Sequence, residues 1–283
     1  MNTIKCNLIC LSMLLLFAFG TNTAIAQKSI MLKYNLKAGQ QFSNESSIEQ
    51  TIQFEAMGQK ATLDQDMDFY MTNAVDSVEN GNITQSSTID RVVMDQQIFG
   101  MSLKYDSEDS TTFNSPMGPE FADQMNKIIG TKVVSTINER GQLQRMDASA
   151  FGAAGEMSNS LNTGNNYATY PDYKVKVGDS WEESLTPMET SNMAVQVTYT
   201  LAKVSRKQAV ISLEGVLSAN ELNPEVDGEL NGTMKGEMTV NRKTGMVIES
   251  SIQLDMTMEI EQNGMKFPAT VSSFVDTDIK ELK

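Results

Sequence analysis

Apolar and polar residues alternate with period two along most of this chain. From Met246 to Ile260 one face carries Met246, Ile248, Ile252, Leu254, Met256, Met258 and Ile260, while the other carries Glu249, Ser251, Gln253, Asp255, Thr257 and Glu259. Such sorting fits an extended strand and no helix. The preceding stretch alternates Met234, Gly236, Met238 and Val240 against Lys235, Glu237 and Thr239, and the turn signal Asn241 to Gly245 joins the two into a hairpin. Asn263-Gly264 predicts a further reversal, so Met265 to Phe274 returns as a third strand, with Pro268 suggesting an edge or a bulge. In the first half, Ile48, Ile52 and Phe54 and then Met67, Phe69 and Met71 follow the same rule around Met57-Gly58-Gln59, and Asn80-Gly81 marks the next turn. One segment departs from it. Phe121, Met125, Ile128 and Ile129 recur at helical spacing, which predicts a helix near 118–129 with Asn114 or Ser115 as its cap and Gly130 as its stop. That helix covers a core face or closes the mouth of a ligand cavity.

A repeat organises these elements. Tyr34-Asn-Leu-Lys-Ala-Gly39-Gln-Gln-Phe42 and Tyr173-Lys-Val-Lys-Val-Gly178-Asp-Ser-Trp181 match at Tyr, Lys, Gly and a bulky aromatic, with Leu36 and Val175 aligned between them. Thr136-Ile137-Asn138 before Gly141 likewise resembles Thr239-Val240-Asn241 before Gly245. The pattern predicts a tandem duplication with copies at 28–147 and 171–283, joined by a flexible connection over 148–170 rich in Ala, Gly, Ser and Asn. Gly39 and Gly178 should allow tight turns above a core plugged by Phe42 and Trp181. The expected class is all-β with one or two short helices: antiparallel curved sheets, half-barrel or sandwich-like.

Residues 1–26 read as a secretory signal peptide, with Lys5 in a positive start, an apolar stretch from Leu8 to Gly20 and Ala24-Ile25-Ala26 before the cleavage point. The expectation is a protein exported to the periplasm or beyond, not lipid-anchored, since Cys6 and Cys10 are misplaced for an acyl acceptor. Both cysteines would leave with that leader, so packing rather than disulfides must stabilise the remainder. The net charge is −14, and the loss of Lys5 makes it one unit more negative. Acidity of this size disfavours nucleic acid and anionic membrane as partners. No later segment has the roughly 20 apolar residues of a spanning helix.

The chain contains no histidine, which excludes Ser-His-Asp triads, Cys-His pairs and His-based metal catalysis. No Gly-x-Ser-x-Gly elbow or phosphate-binding glycine loop is present. A carboxylate pair or a Ser–Lys arrangement survives as catalytic chemistry, with no residues to assign. Asp64, Asp66 and Asp68 have the start of a calcium-loop spacing, but Phe69 and Val75 stand where Gly and Glu are required, so they read as the solvated face of a strand. Asp106, Glu108 and Asp109 read as an acidic loop. Of 20 methionines, several beyond Met1 and Met13 (Met67, Met71, Met234, Met238, Met246, Met256 and Met258) fall on apolar strand faces, where they suit a core first, an adaptable lining for an apolar ligand second and Cu(I) third.

The Lys-x-Gly-Asp-Ser-Trp181 segment, the Asn241-Arg-Lys-Thr-Gly245 hairpin and the duplicated layout resemble a family of exported bacterial proteins classed as a domain of unknown function. That resemblance implies a fold and brings no activity or catalytic residue. The long strands crossed by a helix are also similar, more remotely, to lipoprotein-carrier proteins, whose curved sheets hold acyl chains. The leading expectation is a non-enzymatic exported protein that binds an apolar small molecule or an envelope protein. Its expected lining is Met234, Met238, Ile248, Ile252, Leu254, Met256 and Met258, with no catalytic, metal or cofactor residue. The alternatives are a carboxylate-based hydrolase of envelope glycans and a scaffold without a site.

Overall fold

The computed structural model describes residues 29–56, 59–114, 118–147, 167–185, 193–223, 226–262 and 265–282. The strands run β1 (Gln41–Ala56), β2 (Gln59–Glu79), β3 (Asn82–Ile98), β4 (Met101–Asp106), β5 (Lys132–Asn138), β6 (Leu143–Asp147), β7 (Ser180–Leu185), β8 (Ala194–Val204), β9 (Gln208–Asn223), β10 (Val226–Asn241), β11 (Val247–Gln262) and β12 (Met265–Glu281). A short 3-10 helix (Ser110–Asn114) and helix α1 (Gly118–Met125) stand between β4 and β5. The expected helical face is present: Met125 and Ile128 are buried, Gly130 ends the segment at φ 73°, and its N–H donates to Ile89 O at 2.8 Å. Ser115, the Met57-Gly58 and Asn263-Gly264 turns, residues 1–26 and most of the expected linker lie outside the described residues.

All twelve strands form one antiparallel sheet in the order β6-β5-β3-β2-β1-β12-β11-β10-β9-β8-β7, with β4 beside β3. Each half of the chain is a meander, and the two meet where β12 pairs with β1 from Phe42↔Glu281 to Phe54↔Ala269. The sheet is open, a half-barrel type rather than a sandwich. Its end strands β6 and β7 are not hydrogen-bonded to each other. Side chains link these ends instead, for Arg140 ion-pairs with Glu183 and Gln142 Nε2 donates to Glu183 Oε2 at 3.2 Å. Pro268 stands in a central strand, not at an edge. It follows from the register that no β1 residue opposes it, because that ladder stops at Ala269, while Glu259 faces it on β11.

The two repeated turns make the same bonds. Gly39 (φ 87°) and Gly178 (φ 92°) donate to Val75 O and Leu201 O, and the side chains of Gln40 and Asp179 accept from the N–H groups of Lys37 and Lys176. Phe42 and Trp181 follow into the core, as do Leu36 and Val175. The matched tyrosines differ: Tyr34 is buried and Tyr173 is exposed.

Tyr34 is held by both Asn-to-Gly hairpins. Its N–H donates to Glu139 O at 2.8 Å, and the N–H of Asn35 donates to Thr244 O at 2.8 Å. Asn138 and Asn241 cap their turns alike, accepting from the N–H of Arg140 and Lys243. A Cβ on Gly141 would strike Ala168 O and the Tyr34 ring, and one on Gly245 would strike Lys33 O and Tyr34 Cα. Residues 167–170, expected in the linker, complete this plug. The Tyr170 hydroxyl donates to Gly245 O at 2.6 Å, Trp181 Nε1 donates to Thr169 O at 2.7 Å, and the Tyr34 and Tyr170 rings lie 5.2 Å apart.

Alanine at Gly178 meets nothing within 4 Å, so its cost is the left-handed backbone alone, about 1–2 kcal/mol. Gly245→Ala adds a backbone collision and should lose about 3 kcal/mol or more, read as a larger fall in urea midpoint. Burial drives up the Tyr34 and Tyr170 hydroxyls and pushes Tyr167 and Tyr199 up to about 12. The unfolded chain therefore releases these protons first, and stability falls as pH rises above about 10, by about 1.4 kcal/mol per pH unit for each such tyrosine. A Tyr167→Phe, Tyr199→Phe variant should show a shallower alkaline unfolding limb by circular dichroism.

Candidate functional site

Pairing places the expected lining residues in cross-strand rows on the inner face. One row reads Leu213, Gly236, Ile252, Val275, Ile48, Met67, Met94 and Tyr105 from β9 to β4. The row nearer the β1–β2 turn reads Gly215, Met234, Leu254, Ser273, Gln50, Gln65, Gln96 and Leu103. The next reads Leu217, Gly232, Met256, Val271, Ile52, Leu63, Ile98 and Met101. Leu230, Met258, Ala269 and Phe54 follow. Met238 lies deeper in the sheet, opposite Ser250.

Met234, Met238, Ile252, Leu254, Met256 and Met258 thus belong to one apolar cluster, in which Met238 and Ile252 are buried and the other four are half-buried. Ile248 does not join them. The β10–β11 register shifts between Thr239 and Val240, Val247 pairs with Val240, and Ile248 is left unpaired in that ladder and partly exposed. A bulge inserts one residue and breaks strict alternation, so Met246 and Val247 are both buried.

Three glycines on this face were not singled out by the sequence pattern as lining. A Cβ at Gly215 would meet Met234 Cγ at 2.8 Å, one at Gly232 would meet Met256 Cγ at 2.8 Å, and one at Gly236 would meet Ile252 Cγ1 at 3.0 Å. The Met234 and Met256 side chains therefore occupy the space above Gly215 and Gly232, whereas at Gly236 the nearest atoms are backbone atoms of Ser251 and Ile252. The available signal was Gly232 and Gly236 flanking Met234 at period two.

In one cross-strand row, polar residues stand between Met238 of this cluster and Phe69 of a second cluster on the first half. Ser46, Thr277 and Ser250 face each other across β1, β12 and β11, with Ser46 Oγ 3.1 Å from Thr277 Oγ1. Beyond these polar residues, Phe69, Val92, Met94, Leu103 and Tyr105 pack under Ala122, Met125 and Ile128, so the helical segment covers a core face.

The opposite face is acidic. A hollow of about 460 Å³ spans β2, β1, β12, β11 and β10, lined by Glu45, Asp68, Glu237, Glu249, Asp276 and Asp278 among serines and threonines. Glu45, Asp278 and Glu249 are direct cross-strand neighbours. Like charges in that arrangement repel, and Lys280 relieves them through its 2.9 Å ion pair with Asp278. Nearby Asp64 and Asp68 accept from Thr51 and Ser47 at 2.8 and 2.7 Å and sit along one strand, as expected of a solvated face. Among the described residues no group of three acidic side chains converges as metal ligands.

Asp106 is committed to structure. It accepts two bonds from Arg91, at 3.0 and 2.6 Å, and one from Glu108 N–H, while Asp109 accepts from Thr111 N–H. The Arg91 hydrogen bond holds the Asp106 carboxyl below its ordinary value. That contribution is fully present above about pH 4 and fades as pH falls through the lowered value. Asp106→Asn should cost about 1 kcal/mol at neutral pH, discounted because Arg91 remains 34% exposed, and should flatten the acid unfolding limb below about pH 4.

Residues 154–247 match the profile of a family described as "Family of unknown function (DUF6263)". No curated protein matches the chain. Among solved structures, one titled "Lipid-protein interactions in lipovitellin" aligns with a TM-score of 0.55 at 8% identity, covering 87% of this chain and 25% of that one. The chain thus spans a quarter of the lipovitellin chain and shares its fold there. The translocator domain of the autotransporter NalP from Neisseria meningitidis aligns at a TM-score of 0.24 and 8% identity, covering 86% of this chain and 89% of that one. Among the described residues no helix is long and apolar enough to cross a membrane.

Proposed function

We propose that this protein is an exported, non-enzymatic binder of an elongated apolar molecule of the acyl-chain type, held along the inner face of its open sheet. The observation that carries the reading is the glycine-backed placement of Met234 over Gly215 and Met256 over Gly232. A face built only for packing would stand its large side chains upward to interdigitate. Here they lie flat, with small residues Ala219, Ala269 and Ser273 beside them, and Met234, Leu254, Met256 and Met258 keep partial exposure. Flexible, polarizable thioethers suit such an adaptable surface. The partial likeness to lipovitellin, whose title names lipid–protein interactions, supports the same ligand class. Residues 1–26 act as the export signal in this reading, and an envelope protein would be the donor or recipient of the ligand.

The acidic hollow is where a carboxylate hydrolase would have to work, as Glu45 and Asp278 are adjacent there. General acid catalysis at neutral pH calls for a desolvated carboxyl. Glu45 and Glu249 are exposed to water, which favours the binding reading over the catalytic one.

The test is native mass spectrometry of the protein purified from its own host, before and after solvent extraction, followed by titration of the stripped protein with a fluorescent fatty acid. An acyl-bearing mass lost on extraction is expected, together with probe affinity about tenfold weaker in Met256→Gln, Met258→Gln. A clean mass and no probe binding by the stripped wild type would overturn the reading.

A further inference from the structure

The β3–β4 turn is built in an unusual way. At the β2–β3 reversal the turn residues are Asn80 (φ 52°) and Gly81 (φ 80°), the preferred pair for a two-residue hairpin with both positions left-handed. At the β3–β4 reversal the same backbone recurs with Phe99 (φ 51°) and Gly100 (φ 76°). A bulky residue is a genuine outlier there, whereas Asn is tolerated. Phe99 is also 61% exposed, and its ring meets Phe54 edge-on at 6.5 Å. One position thus carries two penalties that Asn would avoid.

We propose that this tip is a contact site for a zwitterionic lipid surface, into which Phe99 and Met101 insert shallowly. Met101 is 56% exposed and stands opposite Ile98, at the end of the inner-face row that includes Ile52 and Leu63. The apolar inner face is therefore continuous with the tip. Residues 96–103 contain no charged side chain, in a protein of net charge −14 whose outer face is acidic. That distribution suits neutral head groups and repels anionic ones. A tip of two side chains is far smaller than the roughly 800 Å² per partner of a stable protein interface, and its small apolar area fits weak, reversible insertion at a membrane interface. The inference goes beyond the inner-face reading and is tested separately from it.

The protein purified from its host is floated with phosphatidylcholine vesicles, beside variants that share its N terminus, so that any leader contributes equally. Wild type and Phe99→Trp should float, and binding should weaken when phosphatidylglycerol replaces part of the lipid. Phe99→Asn, Met101→Ser should lower the bound fraction by about tenfold or more. Phe99→Asn alone should raise Tm by about 2–4 °C, because the turn gains its preferred residue. Met256→Gln, Met258→Gln should float like wild type even where it loses the fatty-acid probe, which separates the two readings. Absence of wild-type flotation, equal flotation of the double tip variant, or a lower Tm for Phe99→Asn would each overturn the proposal. So would a concentration-dependent dimer that Phe99→Asn abolishes without any vesicle association, because it would assign the tip to a second copy.

Discussion

Two hairpin glycines lacking a Cβ allow the backbone around Tyr34 to pass between turns that belong to opposite halves of the chain. Gly141 and Gly245 approach it from the β5–β6 and β10–β11 hairpins, and backbone bonds from Tyr34 and Asn35 tie it to both. The sheet depends on this crossing because its end strands are not paired with each other. Further links at that end are the backbone bond from Tyr170 N–H to Arg140 O, the side-chain contacts of Arg140 and Gln142 with Glu183, and the tyrosines packed around the crossing. Burial keeps those phenols neutral, so Tyr170 and Tyr167 can donate, to Gly245 O and Gln85 Oε1, while the Tyr34 ring serves as a packing group.

With one end of the strands filled, the other can stay open. The long strands carry the inner face well beyond the tyrosine plug, and its far rows mix buried and partly exposed positions: Leu217, Leu230 and Val271 are buried, while Met256 and Met258 keep partial exposure. Glycines on β9 and β10 let the larger side chains settle sideways. This arrangement favours a smooth wall over an interlocked core.

The outer face follows a different constraint. Adjacent strands bring Glu45, Asp278 and Glu249 side by side, a repulsive arrangement eased by the ion pair of Lys280 with Asp278. Sheet pairing at the β1–β12 junction is stable enough to tolerate it, because the ladder there runs unbroken from Phe42 to Phe54. The resulting polarity also discourages any second sheet from stacking on this face, consistent with a single open sheet.

Period-two alternation in the sequence determined which residues of β10, β11 and β12 face inward, because side-chain direction along a strand is a local property. Turn chemistry likewise located Asn80-Gly81, Gly39, Gly178 and Gly245, each of which needs a positive φ that few residues accept. Six of the seven expected lining residues share one cluster for the same reason, and Ile248 lies outside it because a bulge is a register event between strands. Only the tertiary structure decided that β12 lies beside β1 and joins the halves, that Tyr34 is buried while Tyr173 is exposed, and that residues 167–170 belong to the core. It alone aligned the three outer carboxylates and set Met234 over Gly215. Alternation specifies a face but not a neighbour, and neighbours here come from residues as much as 239 positions apart, such as Phe42 and Glu281.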